Sequence, residues 1–201
     1  MEKLERSFYL RDTVTVARNL LGKLLVHEIG GKRISGMIVE TEAYLGIKDR
    51  AAHTYGGRRT ARNEAMYGLG GHAYIYFIYG MYYCINAVAG AEGVPEAVLI
   101  RALEPFEGQD FMAEARYKAA YSSLSRSQKK NLTNGPGKLC MALSIDRSLN
   151  GEDLCGGILY IEDSAFAPEI CTSKRIGIDY AGEDKNLPLR FYIKDNPYVS
   201  K

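Results

Sequence analysis

Three short stretches of this chain carry side chains able to do chemistry. In the first, Glu40-Thr41-Glu42-Ala43-Tyr44 lies in a run of β-branched and apolar residues, and the two-residue period of a strand puts Glu40, Glu42 and Tyr44 on one face. Spacing alone favours a solvated sheet face; the sharper reading is a cleft in which a carboxylate takes a proton from water. In the second, His53 to Asn63, the arginines Arg58, Arg59 and Arg62 follow Gly56-Gly57. Arginine matches phosphate oxygens bidentately, and glycine lets backbone approach closely, so this loop could hold phosphate. A solvated basic loop is an equal reading, and His53 by itself reads as structural. The Gly-x-x-x-x-Gly-Lys-Ser/Thr spacing of a nucleotide-triphosphate loop is missing. In the third, five tyrosines fall within residues 74–83. Most read as strand and core aromatics, but Tyr79 precedes Gly80 at an expected hairpin tip. An exposed ring there loses its burial energy unless something covers it, and base pairs are one such cover.

The elements that must position these residues are legible from local signals. Asp12 caps a helix over 13–21, stopped by Gly22. Apolar stretches at 24–29 and 34–44 flank Gly30-Gly31 and read as antiparallel partners. Residues 74–78 and 81–88 form a second hairpin with Tyr79 near its tip, and 98–103 is a further strand. Pro105 and the run Met112, Ala113, Ala115, Ala119 suggest a helix. Residues 122–131 are polar and basic and read as an exposed loop, and Asn134 precedes a helix start at Gly135-Pro136-Gly137-Lys138-Leu139. Short strands are expected at 157–162, 175–180 and 189–194. Strands dominate without βαβ alternation, which favours an antiparallel or mixed α+β fold. With no repeat, low-complexity tract or linker, residues 1–201 read as a single domain.

Composition sets outer limits. A chain of 201 residues, 46% hydrophobic and 25% charged, can bury a sizeable core. No apolar run approaches the roughly 20 residues that span a bilayer, and the charged N-terminal stretch is unlike a signal peptide, so a cytoplasmic location without membrane contact is expected. A net charge of +2 means that any nucleic-acid footprint is a local patch. Cys84, Cys140, Cys155 and Cys171 show no Cys-x-x-Cys pairing and only three histidines are present, so neither a disulfide framework nor a metal site is expected. Fifteen tyrosines and no tryptophan suit cores, sheet faces and base-stacking surfaces alike.

Together the three stretches closely resemble the 3-methyladenine (alkyladenine) DNA glycosylase family, enzymes that remove damaged purines from DNA. Glu40-Thr41-Glu42-Ala43-Tyr44-Leu45-Gly46, Ala51-Ala52-His53, Gly56-Gly57-Arg58, Arg62-Asn63 and Tyr76 to Asn86 look like its signature, in order and spacing. Residues 98–105, 135–139 and Pro188-Leu189-Arg190-Phe191-Tyr192 extend the likeness over nearly the whole chain. The resemblance implies a curved, mostly antiparallel sheet with surrounding helices and a protruding β-hairpin. It implies double-stranded DNA containing damaged purines as partner, extrusion of the damaged nucleotide, and hydrolysis without cofactor or lyase step; we expect a monomer. Position by position, it makes Glu42 the carboxylate that activates water, and Tyr44, His53 and Tyr76 the rings that sandwich the base. Tyr79 would fill the vacated gap, Asn86 would reject guanine's exocyclic amine, and Arg101 and Arg58 would hold phosphate. Gly137 departs from the serine expected in some relatives, and the neighbourhoods of Ala61 and 66–71 leave the substrate range open. The competing reading is a non-catalytic nucleic-acid-binding module with stacking tyrosines and an Arg58-Arg59-Arg62 phosphate patch. It has no need of Glu42.

Overall fold

A computed structural model describes residues 1–200. After a short helix α1 (Arg6–Tyr9), the Asp12 carboxylate accepts the Thr15 N–H and starts α2 (Thr13–Asn19). Gly22, at φ +87°, then turns the chain into β1 (Leu24–Ile29), which pairs antiparallel with β2 (Lys32–Tyr44) across Gly30 and Gly31. Both glycines have positive φ, the conformation such a tight joint needs. Next come β3 (Ala73–Ile78), β4 (Tyr82–Ala89) and β5 (Glu96–Glu107). Helices α3 (Gln109–Tyr117), α4 (Arg126–Lys130) and α5 (Pro136–Ala142) follow, then β6 (Leu159–Glu162), β7 (Ile170–Ser173) and β8 (Arg190–Ile193).

The eight strands make a curled antiparallel sheet in the order β3-β4-β5-β2-β1-β6, with β8 joining β2 to β7. The long strand β2 is its spine. One edge pairs with β5 along most of its length, while the other is shared by β1 in its first half and β8 from Glu40 to Glu42. Register shifts at Ile38/Glu40 and Glu40/Thr41 are bulges, which bend a strand and re-aim its side chains. Helix α2 packs on β2, and α5 packs on β4 and β5. Val16, Ile38, Ile85, Ile100, Leu103, Met112 and Leu139 fill the core between them.

Three expectations fail locally. Within the expected loop 122–131, Ser125 accepts the Gln128 N–H while Gln128 accepts the Ser125 N–H, a reciprocal cap that starts α4. The expected strand 175–180 does not form. Ile176 gives its N–H to a Glu42 carboxylate oxygen, and Gly177 sits at φ +73°, so that donor is spent on a side chain and the chain leaves the extended conformation. The strand that does form beside β8 is β7. Pro105 belongs to the end of β5, not to a helix.

The start of β3 is tied to α1 by a close backbone approach. A Cβ on Gly70 would lie 2.7 Å from the Gly90 carbonyl oxygen and 2.9 Å from that of Tyr9. Neither can yield without moving main chain. Gly70→Ala is therefore expected to lower stability by about 1–3 kcal/mol in urea denaturation, and an unchanged midpoint would contradict this packing.

Candidate active site

A single row of paired residues crosses the sheet: Tyr74 on β3, Asn86 on β4, Leu99 on β5, Glu42 on β2 and Arg190 on β8. The candidate site is built around this row. Glu40 and Glu42 do share a face, but it is not a solvated one, since both are 0% exposed. Ile176 and Ser200 cover what period-two alternation leaves open. Glu42 Oε1 accepts the Ile176 N–H at 2.8 Å. Its Oε2 accepts the Tyr44 hydroxyl at 2.8 Å and lies 3.4 Å from Arg101 Nη1. Burial pushes the Glu42 carboxyl above its ordinary range, against the opposing pull of Arg101, the Ile176 N–H and the Tyr44 hydroxyl. Behind it, Glu40 Oε1 accepts from Arg101 Nε (2.9 Å), Arg190 Nε (2.7 Å) and Ser200 Oγ (2.9 Å), and its Oε2 accepts the Ser200 N–H (2.7 Å).

Arg101 is thus a bridge between two carboxylates, with Nη2 also donating to Ser200 Oγ at 3.3 Å. It also lines a groove of about 600 Å³ together with Tyr44, His53, Tyr76, Tyr79 and Ile176. Glu42 itself does not reach the groove. Its bonding partners Tyr44, Arg101 and Ile176, and its cross-strand neighbour Leu99, form the wall in front of it. Beside the groove, Asn86 and Met66 join Tyr44, His53 and Tyr76 around a recess of about 40 Å³. That is room for about one water, so any larger occupant must use the groove as well.

The rings are held from behind. His53 Nδ1 bonds the Tyr74 hydroxyl at 2.8 Å, and its ring meets that of Tyr76 edge-on at 4.6 Å between centroids. Asn86 Nδ2 donates to the Tyr74 carbonyl at 3.0 Å. The Arg175 guanidinium stands 4.8 Å from the Tyr44 ring centroid and is itself fixed by a fully buried bidentate pair with Asp49 (2.5 and 2.9 Å). On the far side of His53 lies a cavity of about 450 Å³ lined by Arg50, Arg58 and Arg62. Arg58 keeps its side chain in the open, whereas Arg59 is taken up by Glu64 and the Tyr67 ring. Tyr79 sits at the turn between β3 and β4 with φ +51° and 84% exposure, followed by Gly80 at φ +68°. The Met81 N–H closes that turn on the Ile78 carbonyl.

The structure therefore gathers Tyr44, His53, Tyr76 and Asn86 around one recess, places Tyr79 and Arg101 on the adjoining groove, and sets Arg58 in the basic cavity. Sequence reasoning missed Tyr180, which is exposed, lines all three spaces and donates its hydroxyl to the Ala51 carbonyl. It also missed the Arg175–Asp49 pair and Ser200; nothing local marks contacts between segments more than 100 residues apart. Among the described residues no three His, Cys, Asp or Glu side chains converge as a metal site, and no helix is long and apolar enough to cross a membrane.

An antiparallel sheet carrying a buried carboxylate behind an aromatic recess, with a basic cavity alongside, defines a site suited to a flat, electron-poor ring attached to phosphate. The family profile of methylpurine-DNA glycosylases matches residues 7–197. A Desulfitobacterium hafniense protein is 60% identical over 201 residues, covering 100% of this chain and 99% of its own. A Clostridium acetobutylicum protein is 59% identical over 199 residues, covering 98% of this chain and 97% of its own, and one from Clostridium novyi is 54% identical over the full length of both. All three carry the provisional name 3-methyladenine DNA glycosylase. The chain belongs to the methylpurine-DNA glycosylase family, hydrolases of N-glycosyl bonds that serve DNA repair.

Burial, then Arg62 and Arg58, lower the His53 pKa to about 4, so the ring is neutral at physiological pH. Between the ordinary value of 6.5 and about 4, the unfolded chain binds a proton at this position that the folded chain refuses. Stability is therefore lost as pH falls through that window. Ring titration by NMR is expected to place the His53 midpoint near the lower value; a midpoint at the ordinary one would contradict the enclosed site.

Proposed function

We propose that this chain hydrolyses the N-glycosyl bond of damaged purines in duplex DNA, after rotating the nucleotide out of the helix. The observation that carries the reading is Glu42, a buried carboxylate set immediately behind a groove walled by Tyr44, His53 and Tyr76. A pure binding module would have no use for a carboxylate enclosed directly behind its stacking rings, because an anion is costly to bury.

Extrusion costs a few kcal/mol of stacking and pairing, least for a damaged base. Tyr79, exposed at its turn, offsets the loss by filling the gap in the duplex, and Tyr44, His53 and Tyr76 stack on the extruded base. Each such contact contributes about 1–3 kcal/mol. An alkylated purine carries positive charge, which electron-rich rings attract and which a neutral His53 does not repel. Asn86 faces the base edge in the recess and is suited to reject guanine's exocyclic amine. Arg58, with Arg50 and Arg62, holds backbone phosphate at the basic cavity, and Arg101 lies toward the phosphate beside the reacting sugar.

As the glycosyl bond lengthens, its electron pair leaves with the base and positive charge builds at C1′. The Glu42 anion stabilises that charge. A water admitted at the groove wall then gives its proton to Glu42 while its oxygen bonds C1′. A carboxylate offers about four acceptor sites and three are occupied, so one is left for the water; what must part to admit it is the wall of Tyr44, Arg101 and Ile176 between Glu42 and the groove. A raised pKa makes Glu42 the better base. An alkylated purine leaves neutral, so no acid is needed, and no lysine is placed for a lyase step. The protein acts as a monomer on chromosomal DNA in the cytoplasm.

Incubated with alkylated duplex, the protein is expected to release free modified purine. Glu42→Gln should slow release by about 10²–10⁴-fold while leaving duplex binding intact, and retained turnover would remove Glu42 from the reaction. Tyr79→Ser should weaken capture of the extruded state, read as a smaller fluorescence rise from 2-aminopurine beside a lesion; an unchanged rise would take Tyr79 out of the gap.

A further inference from the structure

Glu40 is as deeply buried as Glu42, yet the reaction makes no use of it. Its carboxylate collects four donors, two of them from Ser200, the Oγ at 2.9 Å and the backbone N–H at 2.7 Å. Ser200 Oγ also accepts from Arg101 Nη2 at 3.3 Å, and the Ser200 carbonyl accepts from Arg190 Nη2 at 3.0 Å. One serine thus touches every charged partner of Glu40, and Arg101 is the member that continues to Glu42.

We propose that Ser200 is a positioning residue for the hydrolysis: through Glu40 it fixes the Arg101 guanidinium, and the fixed guanidinium keeps Glu42 ionised and ready to take a proton. The inference rests on the reading of Glu42 as the base. A guanidinium is held in one orientation only when its several N–H groups have partners. Arg101 spends Nε on Glu40 and Nη2 on Ser200, which leaves Nη1 directed at Glu42. Without the hydroxyl, Nη2 and Glu40 Oε1 each lose a partner, and the guanidinium can rock away from Glu42.

Of the other charged and titratable groups facing Glu42, Ser200 holds only Glu40. Glu40 and Tyr44 face it from its own strand, Tyr76 from β3 and Cys84 from β4. Arg175 and Tyr180 face it from the segment between β7 and β8. Of these, Glu40 disfavours the Glu42 anion, so Arg101 must lie between the two carboxylates for Glu42 to remain charged. When Arg101 loosens, the proton binds Glu42 more readily and the acid limb of the rate profile moves to higher pH.

The test is single-turnover release of methylated purine from duplex DNA by wild type, Ser200→Ala and Ser200→Thr, followed across the acid limb, with duplex affinity and thermal midpoint measured in parallel. Ser200→Ala is expected to slow release about tenfold, the loss of a hydrogen bond to charged groups, and to move the acid limb upward, a pH dependence that a weakened contact of Arg101 to phosphate would not by itself produce. Ser200→Thr, which keeps the hydroxyl, should restore both. The Arg101 Nε–H should exchange faster with solvent in Ser200→Ala than in wild type. A limb that does not move, or a loss uniform in pH that tracks a lowered thermal midpoint, overturns the proposal and leaves Ser200 purely structural. Wild-type protein that releases no base overturns the glycosylase reading and this inference with it, whereas active wild type with an unmoved limb overturns this inference alone.

Discussion

Two carboxylates two residues apart on one strand, both out of reach of solvent, are held by a single guanidinium between them. Taking such anions from water is expensive unless geometry and hydrogen bonding compensate. The compensation here comes from five places: Arg101 on β5, Arg190 on β8, Tyr44 on β2 itself, the Ile176 N–H and Ser200. Each belongs to a different stretch of chain, so the charge cluster couples the spine of the sheet to both its neighbours and to the two segments that close over it. The bulges around Glu40 matter for the same reason, because they aim two glutamates at one arginine.

This arrangement divides the labour of the site. The sheet row from Tyr74 through Asn86 and Leu99 to Glu42 sets the spacing between aromatic recess and carboxylate. The Arg175–Asp49 pair supports the Tyr44 ring from behind, and Tyr74 supports His53. Exposed side chains stand in front: Tyr79 at its turn, Arg58 over the basic cavity, Tyr180 at the junction of all three spaces. Rigid chemistry behind and adaptable contact in front is what extrusion of a nucleotide requires.

The local signals in the sequence carried a long way. Asp12, Gly30-Gly31 and Tyr79-Gly80 mark their cap and turns where the structure has them, because those features depend on one or two residues' own conformations; α2 ends at Asn19, short of the Leu21 end expected from Gly22. Tyr44, His53, Tyr76 and Asn86 were legible as a group only through their likeness to a family, since nothing in their spacing says that β3 and β4 face the end of β2. What could not be read was coverage. Alternation put Glu40 and Glu42 on one face but gave no sign that this face is sealed, because the seal comes from residues 176 and 200. The 175–180 stretch reads as a strand for a related reason: its composition is strand-like, but the Ile176 N–H goes to Glu42, a partner remote in sequence. The reciprocal Ser125/Gln128 cap, by contrast, is a local signal, a serine three residues before a glutamine, that a reading by basic and polar composition passes over.

The central claim is that Glu42 acts on a sugar whose purine has been swung into the aromatic recess. A crystal structure of the protein on a duplex carrying a damaged purine nucleotide with a 2′-fluoro sugar, which resists hydrolysis, tests it most directly. The account predicts the base between Tyr44, His53 and Tyr76, Tyr79 in the duplex gap, and a water bridging Glu42 and C1′. A base still stacked in the helix, or a sugar bound with Arg101 and Tyr44 sealing Glu42 away from it, would contradict the account.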